Sequence, residues 1–291
     1  MSEDNKSKYL EPVDDGLPMR DSQDYARDKK LAVLQYYLTQ TIVSMRDKWS
    51  VNFLDLQAGP GKNRIKDSNE IILGSPLIAL TLKYPFFHYY FNELNPENFS
   101  ALSQRVATSP LVSQVSLYQR DLNDVVYEIC NGIDDFDKNA YKLGVKRSLN
   151  VAFLDPTGLE LHWTTVKRLA QVSKMDLIIN FSTSGLNRVS GKYDNADSIT
   201  KFFGHDDLQE IFNIGDTVKR RRAFIDQYLS QLQKLGYFID VRDLESPDIS
   251  VRNSKNVEVY SLIFASKHQL GDIFWRNSKK KITPPRLPGF E

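Results

Sequence analysis

Five short apolar runs recur along the chain, and each closes on a polar residue. VNFLD ends at Asp55, FFHYYFNE at Glu93, VSLYQRD at Asp121, NVAFLD at Asp155 and DLIIN at Asn180. Runs of this length, bounded by turn residues, read as buried strands. The segments between them carry helical spacing or helix-start signals. Strand and helix in alternation predict an α/β fold with a mostly parallel sheet and helices on both faces. GYFIDVRDL and VEVYSLIFASKH follow with no helix between them, which adds an antiparallel strand at the end of the sheet. Ligands on such sheets lie beyond the carboxyl ends of the strands, so the five polar tips mark the candidate site.

The flanking pattern sets the remaining elements. Leu31, Val33, Leu34, Tyr37, Leu38, Ile42 and Met45 recur at helical spacing, predicting a long helix ahead of the first strand. Ser75 and Pro76 form a helix start, with Ser75 able to cap and Pro76 able to occupy the first helical position. Asn95 can cap the next helix. LHWTTVKRLAQVS predicts a helix after the fourth strand. Short helical pieces, SITKFFG and HDDLQEIF, precede a long helix near Thr217–Leu235, and LGDIFWRNS predicts a short helix before an extended tail. The expected division is a flexible segment over 1–21, one domain over 22–268 with a helical insertion at about 190–216, and a helix with its tail over 269–291.

Composition excludes several classes. In 291 residues, 38 Lys and Arg oppose 37 Asp and Glu, so no global basic field points to nucleic acid or membrane. The local runs Lys219–Arg222 and Lys279–Lys281 are either solvated faces or phosphate contacts. Cys130 is the single cysteine, which excludes an internal disulfide and disfavours structural zinc. The acidic, polar start is unlike a secretory signal, and the apolar runs are too short to span a bilayer. A soluble cytoplasmic protein is the expectation.

The turn after the first strand, QAGPGKNRI, selects the ligand class. Gly59 and Gly61 allow close backbone approach. A phosphate-binding P-loop needs GxxxxGK[ST], and Gly61-Lys62 is followed by Asn63. The dinucleotide fingerprint GxGxxG has its first two glycines, but Arg64 stands at the third position, and the better helix start waits until Ser75. S-adenosylmethionine, a phosphate-free sulfonium, suits the turn better. Asp55 can meet its cationic end, the Ala58–Gly61 backbone can pass beneath it, Glu93 can accept from both ribose hydroxyls, and Asp121 can receive the adenine amino group. Asp55 and Asp121 can equally be helix caps, and Glu93 a solvated strand-end carboxylate.

FLDLQAGPGKNRI, GSPLIAL, FNELNPENFSAL, NVAFLDPTGLELHWTTVKRLA and DLIINFSTSGLNR together resemble the three-Cys-motif partner proteins (TcmP) of bacteria and phages, over about Ser22 to Arg188. The resemblance implies a Rossmann-like class I S-adenosylmethionine-dependent methyltransferase fold, with a seven-stranded sheet. It also implies a partner carrying the three-cysteine motif, of the iron–sulfur radical-enzyme kind. Asp55, Gly59, Gly61, Glu93 and Asp121 match the general cofactor positions of that fold, and Asp155-Pro156 the catalytic position on the fourth strand.

In amino-methylating enzymes of that fold this position reads Asp/Asn-Pro-Pro-aromatic. The acidic or amide side chain and the proline carbonyl hold the target amine, and the aromatic stacks on a flipped base. Here Asp155 and Pro156 can perform the first task. Thr157 and Gly158 replace the second proline and the aromatic, and the segment can equally be a turn leaving the strand. Thr157, Asn180 and Arg188 are candidate substrate contacts. Arg188 can hold an anion or pair with an acid; His162 can be a base or a loop residue. Phe202 and Phe203 beside the basic run suit single-stranded nucleic acid, but a packed helical subdomain is the preferred reading. The activities in view are methylation of a nucleobase or of a partner enzyme's product, and cofactor-bound scaffolding without catalysis. A nuclease would need a further acidic cluster, and none stands out.

Overall fold

A buried central strand anchors the architecture. In the computed structural model, which describes residues 8–24, 26–183, 185–186, 196–239, 248–252 and 258–282, all six residues of Ser50–Asp55 are buried. Apolar burial on both faces is the signature of an interior parallel strand.

In chain order the elements are β1 (Arg20–Ser22), a π-helical turn (Ala26–Leu31) that runs into α1 (Ala32–Met45), β2 (Ser50–Asp55), β3 (Lys62–Ile65), β4 (Ile71–Leu73) and α2 (Ser75–Leu80). Then come β5 (His88–Asn92), α3 (Pro96–Val106), β6 (Val115–Tyr118), α4 (Leu122–Asn139), β7 (Ser148–Leu154), α5 (Trp163–Gln171) and β8 (Met175–Phe181). The last are α6 (Ala196–Phe203), α7 (Gln209–Phe212), α8 (Thr217–Lys234), β9 (Asp248–Arg252), β10 (Glu258–Ala265) and α9 (Gln269–Ile282).

The main sheet has seven strands in the order β6-β5-β2-β7-β8-β10-β9. Parallel pairing runs from β6 to β8, and β10 is antiparallel to both β8 and β9. Numbered within the sheet this is 3-2-1-4-5-7-6 with strand 7 reversed, the Rossmann-like class I methyltransferase arrangement expected above. Strand order reverses between β2 and β7, so the crevice at their carboxyl ends is the topological switch point, where such sheets bind ligands.

Several elements differ from expectation. A second sheet, β1-β3-β4, forms where the sequence reading saw only a long turn and a loose N-terminus. Its strands are three or four residues long, too short for a periodicity signal. Gly74, not Ser75, caps α2, and that helix ends at Leu80. The helix after Asp121 runs to Asn139. The sixth main-sheet strand is Asp248–Arg252 and not GYFIDVRDL, of which Phe238 makes an isolated bridge to Ser266 and 240–247 lie outside the described residues. α9 continues through Lys279–Lys281 into the part read as extended tail.

α9 also belongs to the domain core rather than to an appended unit. Trp275 stacks on Phe264 of β10 with ring centroids 5.0 Å apart, and Gln40 of α1 donates to the Phe274 carbonyl and the Ser278 hydroxyl. The helical insertion packs in the same manner. Phe202, Phe203 and Tyr228 are buried against Phe181 of β8, and Trp163 meets Tyr228 edge-on. These rings fill the core and leave no exposed stacking face for a base.

The segment expected to be loose up to Asp21 is fastened at Asp15 by a buried ion triad, although Glu11–Asp14 are exposed. Asp15 lies 2.7 Å from Arg105 of α3 and 2.8 Å from Lys62 of β3, with all three side chains sealed from solvent. Lys62 also donates to the Lys8 and Val13 carbonyls, and Arg105 to those of Pro18 and Pro60. Burial by itself raises the Asp15 carboxyl, but hydrogen bonds from Arg105 and Lys62 bring it down to about 2.

Asp15→Ala leaves two buried cations without their shared anion, and is expected to lower stability by about 3–5 kcal/mol in urea unfolding. Because the folded carboxyl titrates below the unfolded value of about 3.9, the contribution is present above that pH and is lost as pH falls through about 2. A loss under about 1 kcal/mol, the range of a solvated pair, contradicts the lock.

Candidate functional site

The site is built on the carboxyl ends of β2, β5, β7 and β8. Two residues at the switch point are acids: Asp55 closes β2, and Asp155 follows the last residue of β7. Both are buried. Their environments push them in opposite directions. Burial raises the Asp55 carboxyl to about 7, opposed by the neighbouring Ser75 hydroxyl and reinforced by the charge of Asp155. Burial also acts on Asp155, but the Lys30 and Arg20 charges outweigh it and hold that carboxyl below its ordinary value. A pair of acids split in this way keeps one ionised and the other poised near neutrality.

Lys30 and Arg20 were missed in the sequence. Lys30 Nζ bonds both oxygens of Asp155, at 2.7 and 3.0 Å, and lies over the Tyr260 ring. Arg20 Nη1 is 3.5 Å from the same carboxylate. Asn180 at the tip of β8 donates to Asp155 at 2.7 Å. Both cations come from the N-terminal segment, more than a hundred positions from Asp155: Arg20 lies on β1, which pairs with β3, and Lys30 in the turn that runs into α1. No local pattern marks them.

The glycine turn is held from two sides. Gly59 N donates to Glu93 Oε2 at 2.8 Å, and Ala58 N to the Asn92 carbonyl at 2.9 Å. The other Glu93 oxygen accepts from Asn95 N at 2.8 Å. Each carboxylate oxygen has a second lone pair, so Glu93 can still accept from a diol. The two glycines have different tasks. Gly59 has φ +64°, and a Cβ added there would meet nothing within 4 Å, so no protein atom fills its open side. Gly61, at φ +96°, packs inward: a Cβ there would lie 3.2 Å from Leu77 and 3.3 Å from Leu102. Gly61 therefore serves close packing rather than ligand approach, which corrects its expected role.

Asp121 is exposed and caps α4, its Oδ1 accepting from Asn123 N at 2.7 Å. It still stands at the carboxyl end of β6, on the same rim as Glu93. The turn after β7 is closed by Glu160, which accepts from the Thr157 hydroxyl at 2.8 Å and from Gly158 N at 2.7 Å. Thr157 is thus tied into the turn, next to Pro156, which is buried. Arg188 lies outside the described residues. His162 takes the cap position of α5 without a side-chain cap bond, and Cys130 is a buried thiol pushed up to about 12 by burial.

Three buried polar atoms at this edge have no hydrogen-bond partner: Asp55 Oδ2, Gln57 Oε1 and Asn180 Oδ1. Unsatisfied buried acceptors are costly and rare in folded proteins. Acceptors beside an open glycine, with Lys30 and Arg20 opposite, fit the ammonium and carboxylate of an amino-acid group, and Glu93 and Asp121 fit an adenosine. Residues of these kinds could hold an amino-acid group joined to a nucleoside. Among the described residues, no group of three His, Cys, Asp or Glu is placed to hold a metal ion, and no helix is long and apolar enough to cross a membrane.

No protein-family model matches the sequence, and no curated protein matches it. The solved structures to which this chain is similar include a Legionella pneumophila protein of the DUF519 family, at 11% identity over 87% of this chain and 92% of that one, with a TM-score of 0.47. A SAM-dependent O-methyltransferase from Thermotoga maritima aligns at 14% identity over 82% of this chain and 65% of that one, with a TM-score of 0.36.

The raised Asp55 carboxyl predicts a pH signature. The folded state holds this proton up to about pH 7, whereas the unfolded chain releases it near 3.9. Stability from this group is therefore greatest below about pH 4 and is lost as pH rises through about 7. Asp55→Asn should flatten the slope of unfolding free energy across that window, and an unchanged slope contradicts the assignment.

Proposed function

We propose that this chain binds S-adenosylmethionine over the Gly59 turn and is a methyltransferase of the class I kind, working with a three-Cys-motif protein as the resemblance to TcmP implies. The observation that carries the cofactor reading is the coincidence, at the switch point, of an open glycine, three unpartnered acceptors and two cations. Asp55 Oδ2 and the neighbouring backbone take the ammonium. Lys30 and Arg20 take the carboxylate. Glu93 accepts from the ribose hydroxyls, and Asp121 from the adenine amino group. When bound, the cofactor supplies an activated methyl group on a sulfonium, so the protein's task is positioning and exclusion of water.

For the acceptor, an amine of a nucleobase or of a partner enzyme's product remains the proposed class. Asp155 and the Pro156 carbonyl lie at the matching strand end. Thr157, tied to Glu160, and Asn180, with one unpartnered oxygen, are the proposed substrate contacts beside it. One observation favours the scaffold reading instead: both Asp155 oxygens already bond Lys30. Amine capture by Asp155 requires Lys30 to turn toward the cofactor carboxylate, which is the role assigned to it here.

Calorimetry should show micromolar binding, on the order of −8 kcal/mol. Gly59→Val and Glu93→Gln should each weaken it about tenfold or more. Lys30→Met should weaken S-adenosylmethionine but leave 5′-methylthioadenosine, which lacks the amino-acid end, unchanged. Equal affinity of the wild type and Gly59→Val variants for S-adenosylmethionine overturns the site. Labelled-methyl transfer in the presence of the three-cysteine partner, abolished in Asp155→Ala, separates enzyme from scaffold.

A further inference from the structure

The opposite edge of the main sheet carries a cavity of about 390 Å³ that the cofactor site does not use. It opens between the second half of α1, the amino ends of β7 and β8, and the start of α9. Its volume is in the range of small-molecule sites. Met45, Trp49, Leu149, Met175 and Phe274 form a largely apolar wall. At its base stands Asp176, the second residue of β8.

Asp176 is 8% exposed and is bonded by neutral groups. The Tyr37 hydroxyl donates to Oδ2 at 2.7 Å, and the Ser266 hydroxyl lies beside the carboxyl. Among the described residues no lysine or arginine pairs with it. Burial raises this carboxyl, with His268 opposing. A buried carboxylate is expensive, and the fold meets that cost with the Ser266 and Tyr37 hydroxyls and the nearby His268. One turn along α1 from Tyr37, Thr41 lines the same cavity. It is 2% exposed, and its hydroxyl lies beside that of Tyr37.

A glycine lets α9 and Ser266 close tightly on this base. Gly271 lies in the first turn of α9, and a Cβ there would collide with the Ser266 hydroxyl and come within 3.3 Å of Asp176 Oδ2. Lysines border the cavity. Lys48 is exposed, and Lys174 lies over the Trp49 ring at 4.7 Å.

The cavity thus offers a flat aromatic and thioether wall, an acceptor-rich base and a cationic rim. An occupant complementary to all three is planar, presents adjacent N–H donors at one end, and carries an anion at the other. The guanine edge, with its ring N–H beside an amino group, is shaped for a carboxylate in two parallel bonds. Adenine presents an acceptor in place of that ring N–H. We propose that this cavity is a second binding site, for a guanine nucleotide, with Asp176 reading the base, Trp49 and Phe274 holding its faces, and Lys48 and Lys174 holding the phosphate.

The test is calorimetry of the full chain with guanosine monophosphate, guanosine and adenosine monophosphate, each with S-adenosylhomocysteine in excess to fill the first site. Guanosine monophosphate should bind saturably and at least tenfold tighter than adenosine monophosphate. The isosteric Asp176→Asn should weaken it about tenfold, the loss of one charged hydrogen-bond pair. Lys48→Glu with Lys174→Glu, both at accessible positions, should reduce it to the affinity of guanosine, and Gly59→Val should leave it unchanged. Absence of saturable binding to millimolar concentration, equal binding of the adenine nucleotide, or unchanged affinity in Asp176→Asn overturns the proposal.

Discussion

The buried triad of Asp15, Lys62 and Arg105 is the interaction on which the site depends. It joins three segments far apart in sequence: the N-terminal stretch, the first strand after the glycine turn, and the helix after β5. Taken singly, each charge is too costly to bury; together they satisfy one another and several backbone carbonyls. Arg105 bonds the Pro60 carbonyl, so the same contact that fastens the N-terminus also fixes the turn between Gly59 and Gly61. With the N-terminus fastened, β1 pairs with β3, and Arg20 and Lys30 are carried to the tip of β7.

That delivery changes the electrostatics of the switch point. Without the two cations, Asp55 and Asp155 would be neighbouring buried acids, each raising the other. With them, Asp155 is held ionised, and Asp55 alone keeps a raised affinity for its proton. The site therefore combines a fixed ion pair with an acid that titrates near neutrality. A cationic ligand approaching Asp55 would favour its ionisation.

The two edges of the main sheet show the same principle with different partners. At the carboxyl edge, polar groups cluster because strand ends and glycine-rich turns expose backbone there. At the amino edge, Asp176 sits one residue inside β8, where the alternation of the strand turns it toward α1 and α9, and two hydroxyls with the nearby His268 answer it. Helix α9 closes over that edge, with Trp275 stacked on Phe264 and Gly271 admitting Ser266.

The order of buried strands and helices was legible in the sequence, because long apolar runs and helical periodicity are local properties of consecutive residues. So were the polar tips Asp55, Glu93, Asp121, Asp155 and Asn180, and the capping role of Asn95, whose side chain accepts from Glu97 N and Asn98 N. The β1-β3-β4 sheet was not legible, since three- and four-residue strands carry no period. The division of labour between Gly59 and Gly61 was also hidden, because it depends on which side of the turn Leu77 and Leu102 occupy. The tertiary structure alone decided that Lys30 and Arg20 face Asp155, and that Asp15 is buried rather than solvated. Those are pairings between distant segments, and a charge in a sequence carries no record of which opposite charge folding will bring beside it.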